Sequence, residues 1–151
     1  MQEYLDSALP ARVEVRHSVI ERCFEAGLFV TGAEAQVAST LVRGIEAAPA
    51  NDLYGDGIAV LLGNISPSAM TVDASRIEGC ARAGLSSFGA ITTMANTVLE
   101  CNAIHLAGEV LHGAPASYQD LGGNVCGCAG DPMPCKVLSS NLAPPAASPT
   151  P

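Results

Sequence analysis

The stretch from Ala114 to the end of the chain constrains this sequence most. Gly122-Gly123, Gly127, Gly130, Pro132 and Pro134 break any regular period there, and Cys126, Cys128 and Cys135 crowd into the same segment. Its apolar content is little more than Leu121, Val125, Met133, Val137 and Leu138. So few apolar side chains do not offset the entropy of ordering that much backbone. The segment must therefore be held by cross-links, by a metal or by a neighbour. Two cysteines one residue apart rarely bridge to each other. Cys126 and Cys128 thus look to different partners, or turn together toward one metal. A zinc or iron–sulfur site takes about four ligands, and the fourth would be Cys101 or an upstream histidine. The six cysteines of the chain allow about 15 pairings, so disulfides, a metal site and free thiols all stay open. The residues from Ala143 to Pro151 are proline-rich and suit an extended chain.

Upstream of this segment the apolar residues recur at helical spacing. Pro10 and Gly27 bracket a candidate helix over residues 11–26, with Val15, Val19 and Cys23 on one face. Thr31-Gly32-Ala33-Glu34 matches a capping box and opens a second, over residues 32–47, with Val37, Leu41 and Ile45 in line. Gly55-Asp56-Gly57 reads as a turn, and Ile58 to Leu62 as a short buried strand or a pair of helical turns. Ala74, Ile77, Ala81 and Leu85 predict a third helix over residues 68–83, and residues 86–111 are the longest helical candidate. No internal repeat is evident. The expected fold is mainly α: about four helices in one small domain, residues 1–113, with an irregular Cys/Gly/Pro-rich extension, residues 114–151.

The charge balance narrows function. With 15 acidic and 7 basic side chains the formal charge is -8, which repels nucleic acid and anionic lipid. Charged residues are only 15% of the chain against about 25% in an ordinary domain. A small chain with little surface charge is expected to be covered by other subunits, as a homo-oligomer or in a larger assembly. Met1 to Asp6 has no basic stretch followed by an apolar one, so no cleavable export signal is read and the protein is expected to be made in the cytoplasm.

Two polar patterns carry what chemistry the sequence offers. On a fourth helix, Cys101, Asn102, His105, Glu109 and His112 would share about 100° of arc, placing acid and imidazole one turn apart. Glu14…His17 and Glu109…His112 repeat the Glu-x-x-His spacing of di-iron helical bundles. Asp52 and Asp56 flank Tyr54 in a loop; a weak calcium site is one reading of them, and solvated loop acids the simpler one. No nucleophile with a matching base is legible, and the expectation leans away from an enzyme. Residues 26–46, from Ala26-Gly27-Leu28 to Arg43-Gly44-Ile45-Glu46, resemble the N-terminal helices of the malate/L-lactate dehydrogenase family that lacks a Rossmann fold. That family continues with Asp-Ser-His-Gly, whereas this chain has Ala47-Ala48-Pro49-Ala50, and no function is carried over.

The expectation is therefore a structural or assembly subunit, for example a virion-associated protein that links or decorates a shell, held by subunit contacts and disulfides. The alternative is a small metal-binding protein holding zinc or iron with Cys126, Cys128, Cys135 and a ligand from the fourth helix.

Overall fold

The structure, a computed structural model, describes residues 11–64 and 66–145. Pro10, the segment read for an export signal and the prolines after Pro145 lie outside the described residues. Among those described there is no helix, and the mainly α expectation is overturned. Sixteen short strands stack instead into a solenoid of five rungs. The first rung is β1 (Ala11–Arg16), β2 (Val19–Glu21) and β3 (Ala26–Thr31). The second is β4 (Ala33–Ala38), β5 (Leu41–Arg43) and β6 (Asp56–Leu61); the third is β7 (Ala69–Asp73), β8 (Arg76–Glu78) and β9 (Ala83–Phe88). The fourth is β10 (Ile91–Ala95), β11 (Val98–Glu100) and β12 (Ile104–Glu109). The fifth is β13 (Ser117–Asp120), β14 (Val125–Cys128), a returning strand β15 (Asp131–Met133) and β16 (Val137–Leu138).

Each rung contributes one strand to each of three sheets. The first sheet runs β1-β4-β7-β10-β13, the second β2-β5-β8-β11-β14-β15 and the third β3-β6-β9-β12-β16. Every pairing is parallel except β14 with β15. This is a parallel β-helix, in which each rung buries its apolar side only by stacking on the next.

The register shows why these residues make strands. Ile20, Val42, Ile77, Leu99 and Cys126 stack inside the second sheet. Val15, Val37, Val72 and Met94 do so inside the first, and Leu28, Ile58, Leu85 and Leu106 inside the third. Ala35, Val37, Val42, Ile58, Val72, Ile77, Leu85 and Leu99 are at most 3% exposed. β-Branched and leucine side chains fill such a column because each packs on a near copy of itself one strand spacing away.

The corners repeat as well. His17, Ser39, Ala74 and Asn96 turn the chain from the first sheet to the second with φ between 45° and 49°. The hydroxyls of Ser18, Thr40, Ser75 and Thr97 follow, each donating to the carbonyl two residues earlier at 2.8–2.9 Å. Arg22, Gly44, Gly79 and Cys101 make the next corner with φ of 52–62°. The expected capping box is one more corner: Thr31 ends β3, Gly32 turns at φ 60° and Ala33 begins β4. The stretch resembling the dehydrogenase helices forms β3, β4 and β5.

The third sheet is covered on both sides. All six positions of β6 and all six of β9 are buried. Outside it, Ala59, Leu61 and Phe88 pack with Ala26, Phe29 and Leu111. Residues 139–145 run over this outer side, tied at Ser139, Ser140 and Ala143.

Candidate functional site

The candidate residues of the C-terminal segment lie in the fifth rung. Cys126 sits in the interior column below Leu99 and is joined to Cys135, with Cα atoms 5.2 Å apart. Cys128 lies under Cys101 at the corner of the rung above and is joined to it, Cα to Cα 4.4 Å. One bridge thus closes the hairpin on itself and the other staples the fourth rung to the fifth. Gly127 separates the two cysteines because a Cβ there would stand 2.2 Å from the Asp131 carbonyl oxygen. Cystine sulfurs are not thiolate ligands, so both bridges must be open before these side chains could hold zinc or iron. Cys23 and Cys80 are unbridged, and burial pushes the Cys80 thiol up to about 12.

The polar stripe expected on a fourth helix is dispersed, because its residues fall on one strand, β12, and the corners on either side of it rather than on a helix. Asn102 turns inward beneath Cys80, accepting from the Cys80 N–H and donating to the Ile77 carbonyl, both at 3.0 Å. His105 sits between Ile104 and Leu106 on β12, beside Gly84 of the rung above. Its Nδ1 is buried with no hydrogen-bond partner among the described residues, and burial lowers its pKa. It lines a cleft of about 700 Å³ with Asn102, Met133, Pro134, Lys136 and Leu138. Glu109 points from the far end of β12 to the outer side of the third sheet, and His112 occupies the next corner at φ 51°. Glu14 is exposed on β1 and His17 is a corner residue, so the Glu-x-x-His pairs share no interior.

A different polar cluster is the most completely built on the molecule. Asp56, read from sequence as a solvated loop acid, is wholly buried at the start of β6. Arg82 donates from Nε to Asp56 Oδ1 at 2.8 Å and from Nη2 to Oδ2, and Ser86 Oγ donates to Oδ2 at 2.7 Å. The Arg82 guanidinium lies 5.6 Å from the Phe88 ring centre and gives its third contact to Ser140 Oγ at 2.9 Å. Ser140 then donates its N–H and its hydroxyl to Glu109 Oε1 at 2.6 and 2.9 Å, while Ser139 Oγ reaches Oε2 at 2.6 Å. Burial alone would raise the Glu109 carboxyl. The serine hydrogen bonds and the Arg82 charge outweigh that and hold it below the ordinary carboxylate range.

Chemically this cluster is a clamp. Two acids are neutralised or saturated by one arginine and three serines, two of which, Ser139 and Ser140, fix residues 139–145 to the solenoid wall. Tyr54 of the loop after β5 adds a hydrogen bond to the Ala143 carbonyl at 3.2 Å. The sequence signal for it was a repeated Ala26-Gly27-Leu28, Asp56-Gly57-Ile58 and Ala83-Gly84-Leu85, whose register sets Asp56 beside Ala26 and Ile58 beside Leu85. No protein-family model, no curated protein and no solved structure matches this chain.

Proposed function

We propose that this chain is a structural subunit, a short rigid β-helical block that assembles through its two ends. The observation that carries the reading is where the uncovered apolar side chains sit. Val19 and Phe24 of the first rung are 60% and 56% exposed. Leu121, Val125, Met133, Val137 and Leu138 of the fifth rung are each 46–68% exposed. Between the ends, among the described residues, the large apolar side chains other than Leu53, Ile91 and Val110 are buried or half-buried. A solenoid needs polar caps where its stacking stops, and apolar side chains left uncovered at the first and last described rungs mark contact surfaces.

The sides of the stack are built differently. Along the second sheet, Glu21 pairs with Arg43, and Arg76 with both Glu78 and Glu100. Exposed pairs of this kind each add about 0–1 kcal/mol, and they present a wetted wall of mixed sign. A block with wetted sides and apolar ends serves to link or space other proteins. A linking role in a larger shell, the setting expected from sequence, is one use of such a block. Size-exclusion chromatography with light scattering tests the reading. A mass of at least twice 15.3 kDa is expected; a monomer at every concentration, with no binding of other subunits, overturns it.

A further inference from the structure

We propose that the first rung is a two-fold interface in which β1 pairs antiparallel with β1 of a second copy, joining two solenoids end to end. The proposal rests on the assembly reading above and names the surface it uses. Among the described residues β1 pairs on one side only, with β4. Its other edge presents the backbone donors and acceptors of an edge strand, a template for strand addition. Its inward residues Ala11, Val13 and Val15 are half-buried, whereas Ala33, Ala35 and Val37 in the same columns are at most 3% exposed. Its outward residues are Arg12, Glu14 and Arg16, all exposed.

The alternating charges select the register. A two-fold axis must pass through a residue, since an axis between residues would set inward side chains against outward ones. Through Glu14 it would put that carboxylate against Glu14 of the partner subunit and Arg12 against the partner's Arg16, which is unfavourable on both counts. Through Val15 it would run the pairing into His17, where a φ of 48° takes the chain out of the sheet. Through Val13 each pair that falls within the described residues agrees: Arg12 meets the partner's Glu14, Ala11 meets the partner's Val15 and Val13 meets the partner's Val13, with Arg16 beyond the paired stretch. The same rotation lays β2 of each copy along β3 of the other, which covers the half-buried Ile20 and Leu28.

The far end offers a shorter backbone template, since the first sheet ends there on the four-residue β13 against the six residues of β1. The second sheet ends there on antiparallel β15 with Pro132 in it, and the third on the two-residue β16. Proline and short strands blunt an edge. Strand addition about a two-fold axis uses the same edge of both copies, so it closes a dimer and leaves two fifth rungs facing outward.

Charge-swapped variants test this. Glu14→Arg makes the outward row of β1 wholly basic, and Arg12→Glu/Arg16→Glu makes it wholly acidic. The ion pairs lost inside one chain, Arg12–Glu34 and Glu14–Arg16, are exposed and contribute little to folding; thermal melts confirm that each variant folds. Each variant alone is expected to raise the dimer dissociation constant about tenfold or more, and an equimolar mixture to form heterodimers near wild-type affinity. If the wild type dimerises and both variants dimerise equally well, or the mixture fails to associate, this surface is wrong while the assembly reading stands. If the wild type is monomeric at about 100 µM, the proposed dimer is wrong, and the assembly reading then survives only through binding of other subunits at the fifth rung.

Discussion

Replacing Arg82 with Met tests the clamp that holds the C-terminal residues to the third sheet. The change keeps the apolar stem over Phe88 and removes the charge. Asp56 is 1% exposed at its side chain and Arg82 12%, so the carboxylate would be left inside the protein with only the Ser86 hydroxyl, at 2.7 Å. Stripping one partner from a buried ion pair costs about 3–5 kcal/mol. Loss of the hydrogen bond to Ser140 adds about 1 kcal/mol. For a chain of this size about 4–6 kcal/mol lowers the melting temperature by about 8–24 °C. Thermal unfolding at neutral pH, followed by circular dichroism, measures it. Asp56→Asn/Arg82→Met removes the stranded charge as well and is expected to recover more than half of the loss. A fall of less than about 1 kcal/mol in Arg82→Met, or a double variant no more stable than the single, would refute the buried-pair reasoning.

Other consequences are equally specific. Gly57→Ala would drive a Cβ to 2.5 Å from both the Gly84 carbonyl oxygen and Ile77 Cγ2, and is expected to cost about 1–3 kcal/mol in a urea titration. Gly44→Ala meets nothing within 4 Å but sits at φ +59°, so about 1–2 kcal/mol is expected from the backbone alone. Glu109→Gln weakens the clamp on residues 139–145 and should speed limited proteolysis within them. The wild type should show the same gain on acidification. The Glu109 carboxyl is lowered from 4.5, so its stabilisation is complete above that value and is lost as the pH falls below it.

The sequence does carry the repeat, but disguised in three ways. Inward residues of one rung fall at Ala35, Val37, Val42 and Ile45, and of the next at Met70, Val72, Ile77 and Cys80. The steps of seven and three between columns are close to whole helical turns, so a rung imitates an amphipathic helix. Ala74 and Ala81, expected on a helix face beside Ile77 and Leu85, are corner residues. Several corners are filled by His17, Ser39, Ala74 and Arg22 at positive φ rather than by the glycine or asparagine found at Gly44, Gly79 and Asn96, which announce a turn. The second rung also carries insertions on both sides of β6. Ala11 stands one rung from Ala33, but Glu34 stands one rung from Ala69, and the period of 22 is lost from view.

The site was legible in part for the same reasons. The cysteines of the C-terminal segment drew attention because their chemistry does not depend on the fold around them. Asn102, His105, Glu109 and His112 share a face only at the angle that a helix would give. Along one strand, β12, and the corners at its two ends they face the interior, a cleft, the outer wall and a turn. Asp56 and Arg82 are 26 residues apart and meet only because rungs stack in register. No local pattern joins them.

The stacked register is the central claim, and the cysteines test it directly. Alkylate the native protein without reductant, digest it and map the linked peptides by mass. Parallel rungs predict one result among the possible pairings: Cys101 with Cys128, Cys126 with Cys135, and Cys23 and Cys80 as thiols. A bridge from Cys23 or Cys80 to the C-terminal segment, or the pairs Cys101–Cys126 and Cys128–Cys135, would contradict it.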